Sequence, residues 1–247
     1  MENFSIEHLR DLSARSDVQN VFTFSDFLTP EEQSRLLGMR RQLTPFTLFG
    51  GADGTERNMA RFGSETQLGY EQPFPIVCLK IEPINRKFAH LNSHRDYLGA
   101  IMYLGVERSA LGDLIIREYD CYLFCTERIA PYLQENLIKV GHTDVHTAIC
   151  DRLPEGSLFE TESMRLTVTS LRLDCVAGAA VKLSRSKISD LIREKKVFLN
   201  GAVCEKPDAI LNEGDVFSVR GAGKFRFIES LGNSKKGKYV IHIDRYK

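Results

Sequence analysis

Several things are missing from this 247-residue chain, and each absence narrows its class. There is no net charge, because 33 Lys and Arg balance 33 Asp and Glu. No stretch approaches the roughly 18 to 20 uninterrupted apolar residues of a membrane span, and Met1-Glu2-Asn3-Phe4 has neither the basic start nor the apolar core of a signal peptide. A soluble, cytoplasmic protein with no membrane partner is therefore expected. The six cysteines, Cys78, Cys121, Cys125, Cys150, Cys175 and Cys204, contain no C-x-x-C pair. That pattern excludes a zinc ribbon and a disulfide framework, and it reads as reduced, buried thiols. The glycine-rich stretch at residues 49–57 is never followed by Lys-Ser/Thr, so it is no Walker loop. It reads as a structural turn, with Arg57 and Arg61 the phosphate-capable groups nearby. His94-Arg95-Asp96 resembles the start of a kinase catalytic loop, but Ile101 stands where the magnesium-binding Asn belongs. Two H-x-x-x-H pairs, His90 with His94 and His142 with His146, are each interrupted by a helix start or a turn, so no metal and no cofactor is expected.

What is present becomes visible once the charge is located. Residues 172–247 hold 16 Lys and Arg against 9 Asp and Glu, whereas residues 1–171 hold 17 against 24. Neutrality is the sum of a +7 tail and a −7 front, and a compact basic segment on an acidic body points to a polyanion such as nucleic acid.

Local signals divide the chain into four. Residues 1–75 read as an α-rich N-terminal segment, with one clear helix start at Thr29-Pro30-Glu31-Glu32, where Thr29 caps, Pro30 takes the first position and Glu32 completes a capping box. Residues 76–150 alternate strand, helix, strand, strand, helix, strand, at 76–81, 93–105, 113–117, 120–125, 127–139 and 144–150. That order is the βαββαβ arrangement of ferredoxin-like and RRM-like domains. The first strand carries no aromatic and only Tyr122 and Phe124 stand on the third, so a scaffold or docking role is expected of this sheet rather than base readout. Ser93 and Asp96 form a second capping box, which leaves His94 and Arg95 in an exposed first turn able to meet a phosphate. Residues 151–171 read as a connector, polar through Pro154-Glu155-Gly156-Ser157 and strand-like from Met164 to Leu171. The predicted fold class is thus α+β, closed by a basic domain over 172–247.

That basic domain carries the most specific pattern. Arg172-Leu173-Asp174 precedes a short helix near 175–181, Ser184-Arg185-Ser186-Lys187 opens a second helix, and Arg193, Lys195 and Lys196 end it. A hairpin follows, turning at Asn200-Gly201, the strongest type I′ signal, before Lys206-Pro207 and a strand at 214–219. Ile188, Leu191 and Ile192 make one apolar stripe on the second helix and leave its basic residues outward. Lys224, Arg226 and the loop 233–238 extend the positive charge between two further strands.

Taken in order, residues 172 to about 220 resemble the small RNA-binding domain named for ribosomal protein S4. The resemblance implies a basic face gripping structured RNA through phosphates, with Ser184, Arg185, Lys187, Arg193, Lys195, Lys196, Asn200 and Lys206 as contacts, and Arg172 as a further candidate. It also casts Asp174 as a helix cap rather than the catalytic aspartate that an Arg-Leu-Asp triplet surrounds in pseudouridine synthases. His90-Leu91-Asn92-Ser93-His94-Arg95-Asp96-Tyr97-Leu98-Gly99-Ala100, Ala110-Leu111-Gly112-Asp113-Leu114-Ile115, and Phe49-Gly50-Gly51 with Glu56-Arg57 make the whole chain similar to the bacterial YlmH family. The implied function is non-catalytic binding of ribosomal RNA and tRNA on the large ribosomal subunit, in quality control of stalled nascent chains, with no DNA partner. An RNA-modifying enzyme and a cell-division adaptor are the competing expectations.

Overall fold

The computed structural model describes residues 2–150, 161–234 and 236–246, with the side chains of residues 2–5 excepted. The polar connector stretch at 154–157 and Lys235 therefore lie outside the described residues. The chain divides into two compact units, Met1–Leu158 and Phe159–Lys247.

The first unit contains α1 (Glu2–Gln19), β1 (Thr23–Leu28), α2 (Pro30–Gly38), β2 (Phe46–Phe49), β3 (Asn58–Phe62) and α3 (Glu65–Leu68), followed by β4 (Ile76–Pro83), α4 (His94–Tyr103), β5 (Leu111–Arg117), β6 (Asp120–Thr126), α5 (Ala130–Asn136), β7 (Lys139–Val140) and β8 (Thr143–Ile149). The helix starts come where the capping signals predict them. Thr29 accepts from Glu32 N while the Glu32 carboxylate accepts from Thr29 N, and Ser93 and Asp96 repeat the exchange at α4. Each box satisfies two amides that the first turn leaves unpaired.

The N-terminal segment expected to be α-rich carries α1, α2 and α3, and it also holds a sheet that its sequence does not announce. Residues 23–62 form a three-stranded antiparallel sheet in the order β1-β3-β2, with Phe46 paired to Phe62 and Phe49 to Met59. Aromatic and β-branched residues pack on a pleated surface at these positions, and Leu9, Leu12, Leu36, Phe46, Ala60 and Phe62 close a small core beneath α1 and α2. The second sheet runs β5-β6-β4-β8-β7, all neighbours antiparallel. One face of it buries Leu79, Ile81, Leu123, Cys121 and Cys125 against Tyr97 and Ile101 of α4 and Leu133 of α5. The two cysteines four apart thus serve as packing, and burial pushes the Cys125 thiol up to about 12, away from reactivity.

The other face is covered in part by the N-terminal sheet. Phe27, Met59, Ile115 and Phe124 form a cluster with Phe24, Phe74 and Ile76 at its margin. Gly51, at φ +103°, makes this approach possible, because a Cβ there would lie 2.3 Å from the Phe124 ring. Arg57 then ties the sheets together: its guanidinium donates to the carbonyls of Leu111, Phe27 and Arg108. The backbone amides of Glu56 and Arg57 donate to the buried Asp113 carboxylate. Arg61 donates to Gln72 O and lies over the rings of Phe22 and Phe74. Both arginines are therefore structural, not phosphate-facing.

The second unit contains β9 (Thr161–Val168), α6 (Leu173–Val181), α7 (Arg185–Arg193), β10 (Val197–Leu199), β11 (Ala202–Val203), β12 (Val216–Val219), β13 (Gly223–Asn233) and β14 (Tyr239–Tyr246). Its sheet runs β11-β10-β12-β13-β14-β9. Assigning all of 151–171 to a connector is corrected here, since β9 pairs with β14 from Tyr246↔Thr161 to Tyr239↔Val168 and completes that sheet. The core gathers Leu173, Val176, Ile188, Ile192, Val197, Phe217, Phe225, Ile241 and Ile243.

Candidate RNA-binding face

Two helices and a hairpin position the predicted residues of the second unit. The α6 helix is buried on nearly every side, because Cys175, Val176, Ala177, Gly178 and Ala180 all pack inward. It ends at Lys182 in the left-handed conformation, φ 58°, and Leu183 N returns to Gly178 O at 2.9 Å. The turn can close this tightly only because position 178 has no side chain; a Cβ there would sit 2.9 Å from Leu183 O. Ser184 follows at once as the N-cap of α7, its Oγ accepting from Lys187 N at 3.2 Å.

The α7 helix divides as its pattern predicts. Ile188 and Ile192 are buried, Leu191 packs at the core margin, and Arg185, Ser186, Lys187 and Arg193 are exposed. The hairpin turns through Asn200, φ 49°, and Gly201, φ 81°, both in the left-handed region that a type I′ turn demands. Asn200 Nδ2 donates to Asp215 Oδ1 at 2.8 Å and its Oδ1 accepts from Val216 N at 2.9 Å. The exposed side chain that the S4 resemblance casts as an RNA contact also clasps the turn against the neighbouring strand.

Asp174 is also placed differently from expectation. It is not the cap of α6, whose N-cap position is Arg172 with no side-chain cap bond. The reason lies in the loop that follows the hairpin: Leu173 N donates to Ala209 O at 2.8 Å and Asp174 N to Pro207 O at 3.0 Å, so the first-turn amides are already satisfied. The Asp174 carboxylate, 5% exposed, instead accepts from Arg185 Nη2 at 2.8 Å and from Arg172 at 3.3 Å. One buried anion thus fixes two guanidiniums that remain half open to solvent. The hydrogen bond and charge of Asp174 raise the Arg185 pKa still further, so it stays a cation at any physiological pH.

The remaining cations sort into two groups. Arg193 pairs with Asp190 at 2.6 Å, Lys196 with Glu194 at 2.6 Å, and Lys195 reaches Glu205 at 3.9 Å. Lys187 and Lys206 are exposed and hold no ion pair among the described residues, and the same is true of Lys182 and Arg220. Reading motif positions alone misses these last two. Lys182 is hidden as an ordinary helix end, and Arg220 gains its place only when its backbone amide donates to Lys196 O. Lys224 and Arg226 lie 5.0 and 5.8 Å from the ring of Tyr246.

In the first unit, His94 and Arg95 occupy the exposed first turn of α4, where partial burial and the nearby Arg108 lower the His94 pKa. The H-x-x-x-H pairings do not form; His90 instead faces His142, with ring centroids 6.1 Å apart. No group of three or more metal-ligating side chains occurs among the described residues, and no helix among them is long and apolar enough to cross a membrane.

A buried helix, an amphipathic basic helix and a type I′ hairpin carrying this cationic face define an S4-type RNA-binding module. Comparison with known proteins agrees: residues 172–217 match the S4 domain, and residues 70–151 match the domain described as "Putative RNA-binding domain in YlmH". The chain is 31% identical over 226 residues to the ribosome-associated protein quality control protein P2 of Bacillus subtilis (strain 168), covering 90% of this chain and 87% of that one. The chain belongs to the YlmH family of S4-domain RNA-binding proteins. A solved structure, the cell division protein ylmH from Streptococcus pneumoniae, shares the fold at a TM-score of 0.51 and 16% identity, over 60% of this chain and 90% of its own.

Proposed function

We propose that this protein is a non-catalytic, cytoplasmic factor that binds ribosomal RNA and tRNA on the large ribosomal subunit, in quality control of stalled nascent chains. The Bacillus subtilis relative's name supports the ribosomal setting. The observation that carries the binding mode is the face on α7 and its flanking loops, where Lys187 and Lys206 hold no ion pair among the described residues and Arg185 is aimed by Asp174. Phosphates suit such cations, and the Ser184-capped start of α7 adds oriented amides. In this reading Lys182, Arg185, Lys187, Lys206 and Arg220 meet phosphates, Arg172, Arg193, Lys195 and Lys196 supply the surrounding field, and Ser184 and Asn200 shape the surface. Residues 76–150 act as a ferredoxin-like or RRM-like scaffold, a reading supported by the neighbour order β5-β6-β4-β8 with α4 and α5 on one face.

Sedimentation of cell extracts through sucrose gradients tests the assignment. The wild-type protein is expected in the large-subunit fractions at moderate salt, and the Arg185→Ala, Lys187→Ala, Lys206→Ala triple variant at the top of the gradient. Co-sedimentation of the triple variant at wild-type levels would overturn the site, and absence of the wild type from ribosomal fractions would overturn the ribosomal role.

A further inference from the structure

The family match over residues 70–151 is described by RNA binding, yet the helix-free face of that sheet is poorly disposed to bind it. Phe124 is 1% exposed beneath Phe27 and Met59. On the open half, Lys80 is engaged by Glu82 and by Asp120, the latter at 3.4 Å. Phe124 is thus no stacking platform, and the half-buried Tyr122 has across from it only Lys80, already committed to carboxylates.

A different surface of the same unit has what the sheet lacks. Residues 84–95, between β4 and α4, contain Arg86, Lys87, His90, His94 and Arg95 and no Asp or Glu, in a front segment where acids outnumber bases by 24 to 17. The segment is anchored: Arg86 Nη2 donates to both Asp120 oxygens at 2.9 and 2.8 Å, Asn85 caps the short turn Arg86–Phe88, and His90 N donates to Thr143 Oγ1 at 3.0 Å. Anchoring holds Phe88 outward at 70% exposure, with Lys87 Nζ 5.8 Å from its ring centroid, and Leu91 at 73% exposure beside it in sequence. Packing does not explain a large ring held in water on a segment this well tied down.

We propose that residues 84–95 form a second RNA contact, in which an unpaired base stacks on Phe88 while Lys87 and Arg95 meet neighbouring phosphates. The segment itself carries no carboxylate, and the two that adjoin it are engaged, Asp120 by Arg86 and Asp96 by Ser93, which favours a polyanion over an apolar protein face as its occupant. Stacking on one ring accepts any base, so the contact selects unpaired RNA rather than a sequence. This inference rests on the chain being an RNA-binding protein but not on the S4 face.

The test uses the full chain with bacterial ribosomal RNA carrying 4-thiouridine, photo-crosslinked and mapped by peptide mass spectrometry, and a fluorescent oligouridine in anisotropy titrations. Adducts within residues 84–95 are expected, and they persist in the Arg185→Ala, Lys187→Ala, Lys206→Ala variant. Phe88→Ala weakens oligouridine binding by about fivefold or more, and Phe88→Tyr restores it. Lys87→Glu with Arg95→Glu weakens it too, which keeps the proposal testable should Phe88→Ala melt at a lower temperature. Adducts confined to residues 172–217, with unchanged affinity in the Phe88 and Lys87 variants, overturn this contact and leave the S4 assignment standing. Adducts nowhere in the chain overturn both, and a photoreactive group at position 88 that captures ribosomal protein alone replaces RNA with a protein partner.

Discussion

In the proposed binding mode, salt dependence separates the cations that grip RNA from those that hold the module together. Lys182, Lys187, Lys206 and Arg220 carry no ion pair among the described residues, and Arg185, 50% exposed, presents its guanidinium from the Asp174 anchor. Five such cations, at about 0.7 to 0.9 released counterions each, predict a slope of log K against log[salt] of about −4. Raising salt from about 50 to 200 mM should then weaken binding by about 250-fold. Removing Arg185, Lys187 and Lys206 leaves two, so the slope should fall to about −1.5 and the same salt change should cost about tenfold. The decisive control is Arg193→Ala with Lys196→Ala. Each of these side chains already holds a carboxylate at 2.6 Å, so meeting a phosphate exchanges one anion for another and releases few counterions. Its slope should lie within about 1 of the wild type. Filter binding or anisotropy with ribosomal RNA over a salt series reads all three. A control slope that changes as much as the triple variant's, or a triple variant whose slope is unchanged, refutes the division.

Three further outcomes follow from the packing. Asp174→Asn should lower the melting temperature while RNA binding persists, and neither it nor the wild type should release tritium from uridine-labelled ribosomal RNA; turnover lost with the substitution would restore Asp174 as a nucleophile. Gly178→Ala forces a methyl to 2.9 Å from Leu183 O. It should cost about 1–3 kcal/mol in denaturant unfolding, with RNA affinity falling because Lys182 and Ser184 move. Arg57→Ala strips donors from Leu111 O, Phe27 O and Arg108 O. It should cost the first unit about 2–3 kcal/mol and leave the salt slope of RNA binding unchanged.

The parts of the fold legible in the sequence are those governed by local chemistry. Thr29 with Glu32, Ser93 with Asp96, and Asn200-Gly201 satisfy backbone groups within a few residues, so their geometry follows from spacing alone. What was hidden depends on partners far along the chain. The strands Thr23–Leu28 and Asn58–Phe62 pair across α2, β2 and the glycine-rich loop, and neither carries a strong turn signal to announce the pairing. Arg57 looks exposed in a glycine-rich loop until Leu111 and Phe27, 54 and 30 residues distant, supply its acceptors. Asn200 illustrates both cases at once: its turn was readable, but the capture of its side chain by Asp215 and Val216 was not.

Asp174 shows why an Arg-Leu-Asp triplet needs its surroundings before it can be given a role. A nucleophilic carboxylate must reach its substrate, and a base must dock within bonding distance of an unengaged oxygen. Here the side chain is 5% exposed, and both of its oxygens accept from guanidiniums, Oδ2 from Arg185 and Arg172 and Oδ1 from Arg172. What the side chain does at that position is hold the guanidiniums of Arg172 and Arg185. A carboxylate buried between two arginines costs desolvation, and in the proposed binding mode it holds each guanidinium in one place while leaving the outer N–H groups to solvent. Pre-aimed cations lose less freedom when a phosphate arrives, so the same triplet that elsewhere surrounds a reacting aspartate can here serve binding. Replacing Asp174 with Asn keeps the volume but removes the anchor, and the consequence to look for is a faster RNA off-rate with the salt slope retained, since the cations are still present but no longer held.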